Sequence, residues 1–516
     1  LQLPWIGAAA VSGSDPVPST LDRYIAASRP SPTAKLVRSS GARRSTIWWP
    51  AMPRPRGPGM KRSNPGPDGP VAPGTVVAMN DVSLGSRDHV RIGVLGCGHV
   101  GAALTSLVAE RRAEVARRHG LDLEVTRIAV RNTAIDRDVP VDDGAFTTDA
   151  SSVVADPEVD VVVEVMGGIE PARELVMAAL SAGKPVVTAN KELLANHGAE
   201  LYALAADNGV DLLFEAAVAG AIPIMRPLRE SLAGEPIERV MGIVNGTTNF
   251  ILSRMTDDGA SYADALAEAQ SLGYAERDPT ADVEGYDAGA KAAIMATVAF
   301  GARVVAGDVY HEGISDVSVA DIEFAANLKH CIKLLAVAEQ TMGDDGQPQV
   351  GVRVHPTLVP LDHPLASVNG SFNAVFIEGG AAGDLMLYGR GAGGRPTASA
   401  VLGDLIDAAA NLRRGSAPGI GVLERARIAP IDDVTSAYYL NLEVDDRPGV
   451  LAAVAAVFGE HGVSIRSMEQ EGLGDEARLV FITHGARERD LRATLTDLRS
   501  LDAVRAVGSV LRVIGG

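Results

Sequence analysis

The chain has 516 residues and a mass of 53.6 kDa, which at roughly 150 residues per domain implies about three domains and excludes a peptide or a lone binding module. Hydrophobic residues at 46% and charged residues at 22% are globular proportions, so global disorder is excluded. A net charge of −18 repels a phosphate backbone and argues against nucleic-acid binding. Aromatics at 4% beside 55 glycines suit aliphatic α/β packing better than an aromatic stacking surface, and small-molecule chemistry is the leading class. Two cysteines, Cys97 and Cys331, are too few for a disulfide framework or a cysteine-built zinc site and fit a reducing, cytoplasmic setting. No apolar run approaches the roughly 20 residues of a membrane helix, so no membrane span is expected.

The averages hide a break. Residues 1–87 hold 11 of the 47 Lys/Arg and 4 of the 65 Asp/Glu, leaving 36 and 61, a net −25, in 88–516. The first 80 residues also hold 13 of the 29 prolines and all three tryptophans, Trp5, Trp48 and Trp49. This segment has no helical or strand periodicity and reads as a disordered, basic, proline-rich extension. A targeting peptide or basic arm is one reading, though no continuous apolar stretch leads to a small-residue cleavage site. The reading favoured is a true start near Met79, just ahead of the first strand.

From Val90, β-rich runs at 90–95, 125–130, 159–165, 185–188 and 211–214 alternate with helical stretches around 102–119, 171–182 and 191–208. Such alternation predicts βαβ units and a parallel sheet, assigned to a domain over 88–224 that is completed by about 388–425. A second, α+β region over 225–387 mixes strands at 237–244 and 350–354 with helices at 262–272, 288–304 and 322–340. The polar, proline-containing stretch 429–433 sets off a separate unit over 435–513, whose βαββαβ order is ferredoxin-like.

Gly96-Cys97-Gly98-His99-Val100-Gly101 directly follows the first strand and opens a helix. In that context G-x-G-x-x-G is a dinucleotide fingerprint of a Rossmann-type domain. Gly96 permits the turn, Gly98 admits a pyrophosphate to the helix N-terminus, and Gly101 lets helix and strand pack. Cys97 and His99 occupy variable positions of the motif. The second strand ends in Arg131-Asn132 with no carboxylate, which favours NADP over NAD, although an arginine there can equally be a solvated surface residue. A buried strand running into Thr188-Ala189-Asn190-Lys191 places Lys191 at the sheet edge where ligands bind. The densest cluster spans 276–291: Glu276, Asp278, Asp282, Glu284 and Asp287 lead into a helix on which Asp287 and Lys291, four apart, share a face. The apolar run 292–300 argues that this helix is buried, so that Lys291 can exchange a proton with a hydroxyl or carbonyl oxygen.

With these strings in view, together with Glu215-Ala216-Ala217-Val218-Ala219-Gly220-Ala221-Ile222-Pro223-Ile224, the stretch 242–252 around Asn245-Gly246-Thr247-Thr248, and Gly391-Ala392-Gly393-Gly394-Arg395-Pro396, the chain resembles monofunctional homoserine dehydrogenases with a C-terminal ACT regulatory domain, from about residue 91 to 513. The resemblance implies a catalytic and dimerisation role for 225–387. It also implies reversible NAD(P)H-dependent reduction of L-aspartate 4-semialdehyde to L-homoserine, towards threonine, methionine and isoleucine. Lys291 then corresponds to the proton donor and Lys191 to a second lysine near the nicotinamide. Glu276 corresponds to the ligand of the substrate ammonium, with Asp282 and Asp287 shaping the pocket. Gly167 and Gly393 correspond to points where backbone approaches the cofactor, beside Gly96, Gly98, His99, Val100, Gly101 and Arg131. A sodium ion is implied on Glu215 and the carbonyls of Val218, Gly220 and Ile222. The strings Asp445-Asp446-Arg447-Pro448-Gly449-Val450 and Gly462-Val463-Ser464 match the ACT pattern and imply threonine feedback through Asp446, Gly449, Val450, Val463 and Ser464, usually at an interface between ACT units of a homodimer or homotetramer. A 2-hydroxy-acid dehydrogenase would need an Arg/His/Glu set instead, and a cofactor sensor without chemistry would need neither lysine.

Overall fold

The computed structural model describes residues 88–514 apart from 418, 421, 422, 473 and 475; the extension expected over 1–87 lies outside the described residues. Strands β1 (His89–Leu95), β2 (Asp122–Ala129), β3 (Phe146–Thr147), β4 (Val161–Glu164), β5 (Val186–Thr188) and β6 (Leu212–Leu213) form a parallel sheet in the order β3-β2-β1-β4-β5-β6. Both faces are covered, which is why β4 is an unbroken buried Val-Val-Val-Glu run rather than an alternating one. Helix α1 (His99–His119) packs over Val90, Ile92 and Val94 on one face. Helices α2 (Ala150–Ala155), α3 (Ala172–Ser181) and α4 (Lys191–Asp207) cover Val162 and Val186 on the other. Strand order reverses at β1, between β2 and β4, and ligands of such sheets bind beyond the C-terminal strand ends at this point.

The middle region opens with β7 (Ile237–Ile243) and continues through α5 (Gly246–Asp258), α6 (Tyr262–Ser271), α7 (Thr280–Val283) and α8 (Tyr286–Phe300). The short strands β8 (Ala302–Arg303) and β9 (Tyr310–His311) and helix α9 (Val319–Asn327) lead to the long hairpin β10 (His330–Met342) and β11 (Pro348–Pro360), then to β12 (Phe372–Gly379) and β13 (Gly383–Arg390). Neighbours in the order β13-β12-β7-β10-β11 are antiparallel, and α8 lies buried against β10 and β11. The sequence pattern over 322–340 predicts one helix, and here the structure differs. The helix ends at Asn327, Lys329 takes a left-handed φ of 57°, and 330–342 is strand. Cys331 to Ala338 are all buried, so Leu, Ala and Val recur without polar alternation, and periodicity alone cannot separate such a strand from a buried helix.

Helix α10 (Gly394–Arg414) returns to the first sheet and packs beside α1, and β14 (Glu424–Arg425) pairs with β8. The last unit comprises β15 (Thr435–Asp445), α11 (Val450–Glu460), β16 (Ile465–Gly472), β17 (Glu476–Thr483), the bridge strand β18 (Ala486–Arg487), α12 (Glu488–Ser500) and β19 (Val504–Val513). Its four main strands run in the order β19-β15-β17-β16 over a core that includes Tyr438, Leu440, Phe458 and Phe481. The separation expected at 429–433 does not extend to the sheet: β19 pairs in parallel with β11 at Thr357 with Arg512 and Leu358 with Val513, joining the two sheets. Arg512 is buried at this seam and donates to Glu312 and to Glu488, each at 2.8 Å, the pairing that a buried cation requires. No helix among the described residues is long and apolar enough to cross a membrane.

Candidate active site

The glycine loop leaves β1 with Gly96 at φ 104°, a conformation that L side chains rarely adopt. A Cβ on Gly101 would lie 2.2 Å from the Gly96 carbonyl oxygen, whereas one on Gly98 would meet nothing within 4 Å. The turn is therefore closed on the protein side and open at Gly98, the N-cap of α1, where unpaired N–H groups and the helix dipole favour a diphosphate. His99 is exposed, Val100 is partly buried against the α1 core, and burial pushes the half-buried Cys97 thiol up, away from a reactive thiolate. Arg131 is exposed just beyond β2 and makes no ion pair among the described residues. Arg137, which sequence reasoning missed, shapes this loop by donating to the carbonyls of Asn132 at 3.1 Å and Ile135 at 2.8 Å, and reaches Cys97 O at 3.4 Å. In the turn after β4, Gly167 and Gly168 have φ 73° and 75°. Gly393, with φ 121°, caps α10, and a Cβ on Gly394 would lie 2.9 Å from His99 O, so the N-terminus of α10 closes on the start of α1.

Two lysines from different layers meet at one carboxylate. Lys191 is the first residue of α4, whose N-cap Asn190 accepts from Leu193 N at 3.1 Å. Its Nζ lies 3.2 Å from Asp287 Oδ1. Lys291, one turn after Asp287 on α8, donates to Asp287 Oδ2 at 2.6 Å and to Val244 O at 2.7 Å. Asn245 caps α5 through its Oδ1, and its amide donates to Asp282 Oδ1 at 2.7 Å and Asp287 Oδ2 at 2.9 Å. Burial opposes the charge of Asp287, but the two ammonium groups and the amide outweigh it and hold the carboxyl well below the usual range. Desolvation likewise works against the charge of Lys191, and Asp287, with Glu192 and Asp282 behind it, reverses this and leaves the lysine above its ordinary value. Burial pushes the Asp282 carboxyl up. Lys191, Lys291, Asp282 and Asp287 are thus brought together. Glu276 is not: its side chain is exposed and has no partner among the described residues, although its loop is tied to α5 by Thr247 Oγ1 donating to Tyr274 O at 2.8 Å.

Comparison with known proteins gives the family. The family model "Homoserine dehydrogenase, NAD binding domain" matches residues 96–215, "Homoserine dehydrogenase" matches 223–406, and "ACT domain" matches 438–503. A homoserine dehydrogenase of Corynebacterium glutamicum is 54% identical over 430 residues, covering 83% of this chain and 96% of that protein. The chain belongs to the homoserine dehydrogenase family. It is an oxidoreductase that uses a nicotinamide cofactor. The solved homoserine dehydrogenase of Thiobacillus denitrificans superposes with a TM-score of 0.77 at 41% identity, over 82% of this chain and 98% of that one. A hyperthermophilic archaeal homoserine dehydrogenase mutant in complex with NADPH gives 0.52 at 32% identity, over 62% of this chain and 97% of that one.

Two further regions bear on the sequence expectations. The carboxylate of Glu215 is buried and accepts from Met225 N and Arg226 N, both at 2.8 Å. Ala219 and Gly220 carry positive φ of 54° and 58°, and no hydrogen bond among the described residues occupies the carbonyls of Val218, Gly220 or Ile222. Free carbonyls beside a carboxylate suit a hard cation such as sodium. Asp404, unnoticed in the sequence, accepts from Glu215 N at 2.7 Å and Arg226 Nη2 at 3.1 Å, and burial pushes its carboxyl up to about 7. In the ACT unit, a cavity of about 340 Å³ is lined by 444–451 with Gln470 and Leu479, and so takes in Asp446, Gly449 and Val450. Val463 sits in the ACT core and Ser464 is exposed outside that cavity. Asn245 had a sequence signal, an Asn before Gly-Thr-Thr at a helix start, but nothing in the sequence shows that its amide bridges two carboxylates.

Proposed function

We propose that this chain catalyses the reversible reduction of L-aspartate 4-semialdehyde to L-homoserine in the cytoplasm, towards threonine, methionine and isoleucine. The observation that supports this most directly is the largely buried Asp287 carboxylate gripping two lysines, one carried by α4 of the first domain and one by α8 of the middle region. The bound nicotinamide supplies or receives the hydride. The chain's own residues handle the proton and the amino acid. An ammonium has three N–H donors; Lys291 directs two at Asp287 and Val244 and gives the third proton to the aldehyde oxygen in one direction, while in the other direction the neutral amine takes the proton from the hydroxyl. Lys191, at the first turn of α4, orients the same oxygen. Glu276 binds the substrate ammonium, and Asp282 and Asp287 line the pocket. NADP is the preferred cofactor, supported by the exposed Arg131 and the absence of a carboxylate at the end of β2. Gly96, Gly98, His99, Val100, Gly101, Gly167 and Gly393 are the backbone contacts of this cofactor. Sodium would be held by Glu215 with the carbonyls of Val218, Gly220 and Ile222. Threonine inhibits through the ACT unit at Asp446, Gly449, Val450, Val463 and Ser464, in a homodimer or homotetramer.

The test is Lys291→Ala. Turnover of homoserine should be lost, while NADPH binding, followed by its fluorescence, persists. Full activity in that variant would remove Lys291 from the mechanism.

A further inference from the structure

We propose that Glu164 is a positioning residue that ties the cofactor loop after β4 to the lysine-bearing loop after β5, holding the two sides of the nicotinamide pocket in register. Glu164 is the last residue of β4, fully buried, and in no ion pair among the described residues. Its Oε1 accepts from Met166 N at 2.9 Å and Gly167 N at 3.0 Å, and its Oε2 accepts from Thr188 Oγ1 at 2.6 Å. The Thr188 hydroxyl in turn accepts from Asn190 N at 3.0 Å, and the Asn190 amide donates to Gly168 O at 2.6 Å. The circuit therefore closes on itself: Glu164 to the Gly167–Gly168 turn, to Asn190, to Thr188, and back to Glu164. Asn190 is also the N-cap that starts α4, so the residue next in sequence is Lys191.

A buried carboxylate without a cation is unfavourable unless its oxygens are well served by donors, and a side chain that only filled this space would not need the charge. Burial raises the Glu164 carboxyl, and the Thr188, Gly167, Met166 and Asn190 donors act in the opposite direction. Both glycines lie in the left-handed region, a Cβ at either would meet nothing within 4 Å, and the partner of the Gly167 N–H among the described residues is Glu164 Oε1. The inference rests on the assignment of Gly167 to the cofactor and Lys191 to the reacting oxygen.

The experiment uses the intact chain with NADPH as probe and compares Glu164→Gln, Thr188→Val and Thr188→Ser. Glu164→Gln weakens both arms of the circuit; NADPH Kd should rise and kcat should fall, each by about tenfold or more, the scale expected when reacting groups lose alignment. Thr188→Val cuts only the arm towards Lys191, so kcat should fall by a similar factor while NADPH Kd stays within about threefold. Thr188→Ser, which restores the hydroxyl, should recover most of the lost kcat, and adding Thr188→Val to Glu164→Gln should lower kcat little further, because both cut the same link. The proposal is overturned if both variants lower thermal stability alone with kcat and Kd unchanged, if Thr188→Ser is no better than Thr188→Val, or if the two losses multiply. Should Glu164→Gln fail to fold, the Thr188 pair decides. Lys191→Ala, assayed alongside, separates the two layers of inference: wild-type kcat there defeats the assignment of Lys191 itself, whereas an inactive Lys191→Ala leaves the Glu164 and Thr188 results to bear on positioning alone.

Discussion

Replacing Asp287 by Asn removes one negative charge from between two ammonium groups with almost no change of volume. The asparagine can keep its oxygen where Oδ2 now accepts from Lys291 and Asn245, at 2.6 and 2.9 Å. Its NH2 then stands where Oδ1 faces Lys191 Nζ at 3.2 Å, donor against donor. Lys191 loses a charge-assisted contact, and with desolvation no longer offset by Asp287 its pKa falls. The sign follows from the direction of the shift. Lys191 is held above its ordinary value, so the wild-type pair is stabilising at neutral pH and lost only as pH rises beyond about 10. Asp287 is held below its own, so its contribution is present above about pH 4 and lost as pH falls through the lowered value. Acetylation of Lys191 as a function of pH, followed by mass spectrometry, reads the lysine directly. The titration should move to lower pH in Asp287→Asn, and kcat/KM for homoserine should fall by about tenfold to a hundredfold. Coincident titration curves with kcat/KM within about threefold of wild type would refute the shared-carboxylate reasoning.

Other consequences are open to similar tests. Arg131→Ala should weaken NADP binding by about tenfold relative to NAD, the scale of one lost phosphate contact; an unchanged ratio would make Arg131 an ordinary surface residue. Glu276→Gln should raise KM for homoserine by about tenfold or more with a smaller change in kcat, the signature of lost ground-state binding, and an unchanged KM would contradict the ammonium role. Asp446→Ala should raise the threonine concentration for half-inhibition, and an unchanged value would place the effector elsewhere. Deleting 435–516 should also unmask the edge of β11, which now pairs with β19, and leave Glu312 without Arg512. The truncated chain is expected to self-associate in sedimentation experiments, as open strand edges do; a monodisperse, fully active product would show that the joined sheet is dispensable.

What could be read from the residues follows from which interactions are local. The G-x-G-x-x-G turn, the i,i+4 spacing of Asp287 and Lys291, and the βαββαβ order depend on neighbours in sequence, and each is visible there. The strand at 330–342 was hidden because burial on both faces removes the alternation that marks a strand. The seam at Arg512 was hidden too, since the polar stretch 429–433 signals a break in the chain and says nothing about sheets meeting edge to edge. Within the site, Lys191 and Lys291 could each be singled out, but their meeting at Asp287 depends on α4 and α8 packing together. Besides local contacts, Asn245, Glu164 and Asp404 reach partners 37 to 42, 24, and 178 to 189 residues away in sequence, and no spacing rule reaches so far.

The central claim is that the Lys191–Asp287–Lys291 cluster handles the proton of homoserine oxidation beside a nicotinamide bound at the glycine loop. The most direct measurement is the appearance of reduced nicotinamide absorbance when purified protein is given L-homoserine with NADP, and separately with NAD. The account predicts homoserine-dependent reduction with a higher kcat/KM for NADP, abolished by Lys291→Ala. No homoserine-dependent reduction of either cofactor by a folded, NADPH-binding protein would contradict it.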